Sequence, residues 1–187
     1  IDYGALVSAL VARGVRFEVC EITLRTSDNG AANLILETLG GPGDVTKFLR
    51  QIGDGTTRLD RYEPELNEAK PGDARDTTSP RAMAGLLRQA VLGPALSNIS
   101  RQQLTQWMRD TQTNLNRLGA GLPPSWQLGS KTGTGGHGST NDVGIYWPHE
   151  GAPIVVAVFL TASEASLTTR EATIAKVAHH VFSSARA

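Results

Sequence analysis

Three stretches of the chain carry hydroxyls, carboxylates and cations in patterns that suit catalysis or ligand binding. K-T-G-T-G-G at 131–136 runs off an apparent strand into a turn. A phosphate-cradling loop carries its glycines before the lysine and opens a helix, so this order argues against one. On a strand edge the same residues set a cation, hydroxyls and free backbone N–H groups side by side, an arrangement suited to a ligand carboxylate and a developing oxyanion. R-Y-E-P-E-L-N at 61–67 continues to Asp76 through P-G-D-A-R-D, dense in charge of both signs. Pro64 and Pro71 exclude a regular helix or strand there. Long irregular loops in compact domains are usually functional or disordered. Within this one Glu63, between Tyr62 and Pro64, reads either as a held general base or as an ordinary exposed glutamate. S-D-N at 27–29 reads as a helix cap or as a further polar contributor.

The elements that position these residues can be read from periodicity and caps. V-R-F-E-V-C-E-I-T-L at 15–24 fits either a strand or a helix. Asp28, followed by an apolar-periodic run and Gly40-Gly41, predicts a helix, and a second runs over 42–52. Ser79-Pro80 opens a helix over 77–93, and another covers about 100–110. Residues 126–132, 141–147 and 153–161 then predict three strands in an antiparallel meander. The closing segment 166–182 predicts a helix covering the sheet with Leu167, Ile174, Val177, Ala178 and Val181. Helices, then strands, then one helix make an α+β pattern.

Composition bounds the rest. The chain has 187 residues, 40% of them hydrophobic, enough for one substantial core. Lys plus Arg equals Asp plus Glu at 18 each, which gives no reason to expect a nucleic-acid or anionic-membrane partner. The apolar run at 153–160 is too short to span a bilayer. The single cysteine, Cys20, excludes an internal disulfide framework and a cysteine zinc site. His179 and His180 are neighbours on a helix and His137 and His149 fall in turns, so no metal is expected. Trp107, Trp126 and Trp147 read as packing residues.

Taken together, S-D-N at 27–29, R-Y-E-P-E-L-N at 61–67, P-G-D-A-R-D-T-T at 71–78 and K-T-G-T at 131–134 resemble the class A serine β-lactamases in order and separation. The resemblance implies a β-lactamase/transpeptidase-like α+β fold. Its helical portion would span 1–112, including an omega-type loop at 61–76. The sheet and its covering helix would span 113–187. It implies that Ser27 relays a proton toward the leaving lactam nitrogen, and that Glu63, helped by Asn67, activates a deacylating water. Lys131 would supply positive potential, Thr132 and Thr134 would bind a substrate carboxylate, and the Thr134 N–H would form half of an oxyanion hole. Asn29, Gly135, Arg117 and Tyr3 would line the substrate site, with Arg117 otherwise an ordinary surface charge. Asp28 would fix the S-D-N turn, and Arg61 and Asp76 would pair to close the loop. Thr140 stands where many members carry arginine. Cys20 matches a position that some members bridge to a second cysteine. No cofactor is implied. The ligands would be β-lactams, with the protein exported to a bacterial periplasm or the exterior.

One departure stands out. The four lysines are Lys47, Lys70, Lys131 and Lys176, preceded at three positions by Asp44, Asn67, Leu128 and Thr173, so none completes the nucleophile motif S-x-x-K. The family places that motif, a first helix and two strands ahead of Tyr3. The expectation is a β-lactam hydrolase working through a serine acyl-enzyme, the 187 residues being inactive alone, with an exposed apolar edge at 153–161 and a complementary N-terminal segment or chain supplying the nucleophile. The alternative is a truncated relative that binds β-lactams or peptidoglycan-like ligands without hydrolysis, or a structural remnant.

Overall fold

The computed structural model describes residues 17–185. The ambiguous stretch resolves as a helix, α1 (Phe17–Thr26), followed by α2 (Asn29–Leu39) and α3 (Pro42–Gln51). Packing settles α1, because Phe17 lies 5.9 Å from the Trp107 ring and gives the helix a partner. α2 starts where Asp28 accepts the Ala31 N–H at 2.7 Å and stops at Gly40, whose φ of 98° only glycine adopts without cost. The loop that follows contains a single 3₁₀ turn, Glu65–Asn67, and is otherwise irregular to α4 (Pro80–Val91). α4 and α5 (Asn98–Arg109) open on Ser79 and Ser97, whose hydroxyls accept the Ala82 and Ser100 N–H groups at 3.2 Å each.

Strands β1 (Gln127–Thr134), β2 (Thr140–Trp147) and β3 (Ile154–Leu160) form an antiparallel meander in that order. Thr132 stands opposite Asp142, and Asp142 opposite Val158. Alternation along each strand divides the sheet into two faces. One face carries Leu128, Tyr146, Val156 and Val158 onto α6 (Leu167–Ser184), through Ile174, Ala178 and Phe182. There Trp126, Tyr146 and Phe182 meet edge to face, with centroids 5.2–6.0 Å apart. The other face sets Ile145, Val143, Trp147 and Val155 against Leu87 and Val91 of α4 and Met108 of α5. Arg109 lies over Trp147, 4.5 Å from the ring centroid, which ties α5 to β2.

Two expectations need adjustment. Leu167 begins α6 and is 43% exposed, while Phe182, four residues after Ala178, takes the core position instead. β1 runs on to Thr134, so the whole K-T-G-T motif is strand. As expected, β3 is an apolar edge: among the described residues it pairs with β2 alone, and all seven of its residues are half-buried. No helix among the described residues is long and apolar enough to cross a membrane.

Ile174 of α6 is fully buried against the sheet, so Ile174→Ala should destabilise the fold by about 2–5 kcal/mol. Leu167→Ala should stay within about 0.5 kcal/mol. Urea unfolding of both variants checks the assignment, and equal losses would refute it.

Candidate active site

The S-D-N turn is held by its helices. Ser27 adopts a left-handed conformation, φ 62°, between the end of α1 and the Asp28 cap of α2. For a residue other than glycine this costs about 1–3 kcal/mol and persists only where the surroundings impose it. From across the molecule, Lys131 of β1 donates from Nζ to Ser27 Oγ at 2.7 Å and to the Thr132 carbonyl at 2.7 Å. Burial lowers the pKa of Lys131, against the opposing pull of Asp142 and Glu63. Asn29 stands exposed at the first position of α2.

The charged loop is fastened at its ends and in its middle. Arg61 Nε donates to Asp76 Oδ2 at 2.6 Å, and Asp76 Oδ1 accepts the Asp60 and Arg61 N–H groups at 2.7 and 3.0 Å. The Asp76 side chain is 2% exposed. Arg61 also donates to Glu68 at 2.7 Å, and these two acids, Asp76 foremost, raise its already high pKa. Asn33 of α2 clasps Glu63 from both sides. Its Nδ2 donates to the Glu63 carbonyl and its Oδ1 accepts the Glu63 N–H, each at 2.9 Å. Asn67 Nδ2 donates to Glu63 Oε2. Desolvation pushes the Glu63 pKa upward, and the Asn67 bond and the Lys131 charge counter it in part. The end of β1 closes on the same loop, where the Gly136 N–H donates to the Asn67 carbonyl at 2.7 Å. A Cβ on Gly135 would stand 2.6 Å from that carbonyl oxygen, so no larger residue fits without displacing the loop.

Neighbouring residues of β1 have different surroundings. Lys131 reaches Ser27, whereas Thr132, on the opposite strand face, is buried with its hydroxyl 2.6 Å from that of Thr113. Thr134 is exposed at the strand end. Arg117 is no surface charge, being 4% exposed. Its guanidinium donates to the Gly133 and Asn141 carbonyls at 2.9 Å each, to Thr134 Oγ1 at 2.6 Å, and to Glu171 at 3.1 Å. Thr140 is buried and accepts from Arg170 Nε of α6 at 2.9 Å. Tyr3 lies outside the described residues. Cys20 is a free, half-buried thiol whose pKa burial raises. Among the described residues no group of three or more His, Cys, Asp or Glu side chains gathers as a metal site would require.

The structure thus brings Ser27, Lys131, Glu63 and Asn67 into one linked cluster, with Thr134 and Gly135 at its edge. Sequence reading missed Asn33, Arg170 and Glu171. An asparagine four residues after Asn29, amid A-A-N-L-I-L, was the available signal for Asn33. The other two carried none, because their partners are distant in sequence.

Residues 15–184 match the family described as the beta-lactamase enzyme family. The chain is 42% identical to β-lactamase CARB-3 of Pseudomonas aeruginosa over 97% of its own length and 64% of that protein. It is 51% identical to a β-lactamase of Streptomyces fradiae over 81% of its length and 50% of that protein. Among solved structures, an ancestral class A β-lactamase (GNCA) superposes with a TM-score of 0.88 at 54% identity, covering 94% of this chain and 69% of the other. The PenP protein of Rhodopseudomonas palustris superposes with a TM-score of 0.88 at 50% identity, covering 90% of this chain and 64% of the other. The chain therefore spans about 64% of the length of relatives such as CARB-3.

The Asn67 amide favours the ionised form of Glu63, so Asn67→Leu should raise the Glu63 pKa further. A carbon-detected NMR titration of the Glu63 carboxyl reads this directly. A midpoint that stays put or falls would show that Asn67 does not set the charge on Glu63.

Proposed function

The chain belongs to the class A serine β-lactamases, and from that premise we propose that its cluster binds β-lactams and prepares a water for their hydrolysis. The observation that carries the reading is the hydrogen bond from Lys131 Nζ to Ser27 Oγ at 2.7 Å, which joins the strand motif to the S-D-N turn beside Glu63. In this reading Lys131 supplies the positive potential that attracts the ligand carboxylate. The exposed Thr134 hydroxyl, oriented by Arg117, binds that carboxylate, and the Thr134 N–H serves a developing oxyanion. Arg117 thereby acts through Thr134. Glu63 and Asn67 hold the water, with Glu63 as general base. Ser27, within reach of the Lys131 ammonium, passes a proton toward the departing nitrogen. Asn29 and Gly135 line the same cleft, and Asp28, Arg61 and Asp76 keep the two loops in place.

Hydrolysis in the family manner also needs a serine made nucleophilic by a neighbouring base. None of the four lysines here completes S-x-x-K. That observation favours a second reading for the 187 residues taken alone, in which they bind β-lactams or peptidoglycan-like ligands without turning them over. We join the two readings by assigning the nucleophile to a complementary polypeptide segment that carries S-x-x-K. Covering the apolar edge of β3 and the exposed Phe17, Ile22 and Leu34 of α1 and α2 would supply its hydrophobic docking energy.

The test is nitrocefin turnover with mass spectrometry for a covalent adduct. The 187 residues alone should show neither turnover nor adduct. Adding a polypeptide with the S-x-x-K helix should restore both. An acyl adduct on the 187 residues alone would overturn the assignment of the nucleophile, and failure of the added polypeptide to restore either turnover or adduct would leave binding without hydrolysis as the function.

A further inference from the structure

Asp142 is a buried acid that the proposed chemistry does not use. It stands on β2 opposite Thr132, on the sheet face turned toward residues 113–118, and is fully buried. Its Oδ2 accepts the Leu118 N–H at 3.1 Å, while Oδ1 is buried and makes no well-aligned hydrogen bond, with the Ser130 hydroxyl beside the carboxyl. Four residues along the same strand face, Tyr146 donates its hydroxyl to the Leu118 carbonyl at 2.6 Å. Both polar groups of Leu118 are thus gripped by β2. The residue before it is Arg117, whose guanidinium reaches Thr134 Oγ1 at 2.6 Å. A buried carboxylate oxygen without a well-aligned partner weakens a fold. Packing alone gives no reason for an acid here.

We propose that Asp142 is a positioning residue for the anion-binding edge of the site: it grips Leu118, fixing the reach of Arg117 to Thr134, and its negative charge behind Lys131 weakens the hold of that edge on a ligand carboxylate. The second half rests on the carboxylate-binding reading of Lys131 and Thr134. Several groups face Asp142. Ser130 comes from β1, Arg117 from the 113–118 segment and Tyr146 from β2; Lys131, on the other sheet face, acts through its charge, Asn114 through Ser130, and Glu171 of α6 through Arg117. Burial pushes the Asp142 carboxyl up to about 6, against the Leu118 N–H, the Ser130 hydroxyl and the charges of Arg117 and Lys131. As pH falls through that value the carboxylate is neutralised and a ligand carboxylate meets less opposing charge. The folded state takes up this proton before the unfolded chain, whose carboxyl titrates near 3.8. Asp142 therefore destabilises the fold above about pH 6, and that loss is recovered as pH falls from about 6 toward 3.8.

The experiment titrates the full chain with benzylpenicilloate, a ring-opened carboxylate that cannot acylate, between about pH 7.5 and 5, with the Leu118 and Thr134 amides followed by NMR. All variants carry Glu63→Gln, which removes the other carboxylate facing Lys131. With Asp142 present, affinity should rise on the order of tenfold across the range and the Leu118 amide should titrate with the same midpoint. Asp142→Asn, which can still accept the Leu118 N–H, should bind at the low-pH level throughout, with both amides flat. Asp142→Leu should lose the Thr134 amide response to ligand and speed exchange at Leu118. A pH dependence that survives in Asp142→Asn belongs to another group and overturns the field effect. Unchanged Leu118 exchange in Asp142→Leu overturns the grip. If penicilloate binds at no pH, the carboxylate-binding reading of the edge falls and the field effect with it, while Leu118 exchange still decides the grip.

Discussion

The site depends on one carboxylate that is not part of its chemistry. Residues 61–76 lack a helix or strand ladder apart from a single 3₁₀ turn, so their backbone has no repeating partner to fix it. Asp76 supplies the missing constraint. It is nearly inaccessible, and it accepts two backbone N–H groups and the Arg61 guanidinium from the opposite end of the loop. Asp76 itself sits in the left-handed region, φ 56°. A strained backbone of this kind is kept only when several bonds over-determine it, and here three bonds converge on its side chain. With its ends joined, the loop needs one internal anchor, and Asn33 provides it by taking both backbone groups of Glu63.

The second organising feature is the alternation of β1. Successive residues of a strand look to opposite sides. Lys131 therefore enters the cleft while Ser130 and Thr132 turn inward to Asn114 and Thr113. One strand can then carry a cation on one side and bury a hydroxyl-lined polar layer on the other. Arg117 runs along that layer and emerges at Thr134, so a buried guanidinium communicates with an exposed hydroxyl. The glycines that follow the strand let it close on the loop, with the Gly136 N–H on the Asn67 carbonyl. Loop and strand form one unit at the point where Glu63 and Lys131 act on each other's charge.

Much of this was legible in the sequence because its causes are local. The caps at Asp28 and Ser79 are single side chains bonded to amides three residues on. Prolines and charge marked the irregular loop, and the order of the motifs carried the family and fold. What escaped depends on distant partners. α1 could not be told from a strand by periodicity, since Phe17 finds Trp107 ninety residues away. Arg117 was open between a ligand contact and a surface charge because its acceptors lie 16, 17, 24 and 54 positions along the chain. Asn33 lies within an apolar helical run, and only the fold shows what its amide meets.

The opposite shifts of Glu63 and Lys131 follow from one cause. Burial penalises the charged form of each, raising the acid and lowering the base. Left unopposed, that penalty would drive both groups toward neutrality, and a neutral pair could neither activate water nor attract a carboxylate. Each charge restrains the other's shift, Lys131 acting on Glu63 and Glu63 on Lys131. Asn67 adds a hydrogen bond on the acid's side, and Asp142 adds negative charge on the base's. Each charge therefore restrains the other's shift only while the loop that carries one stays against the strand that carries the other. That is why the Arg61–Asp76 closure, remote from any reacting atom, bears on the electrostatics of the proposed chemistry.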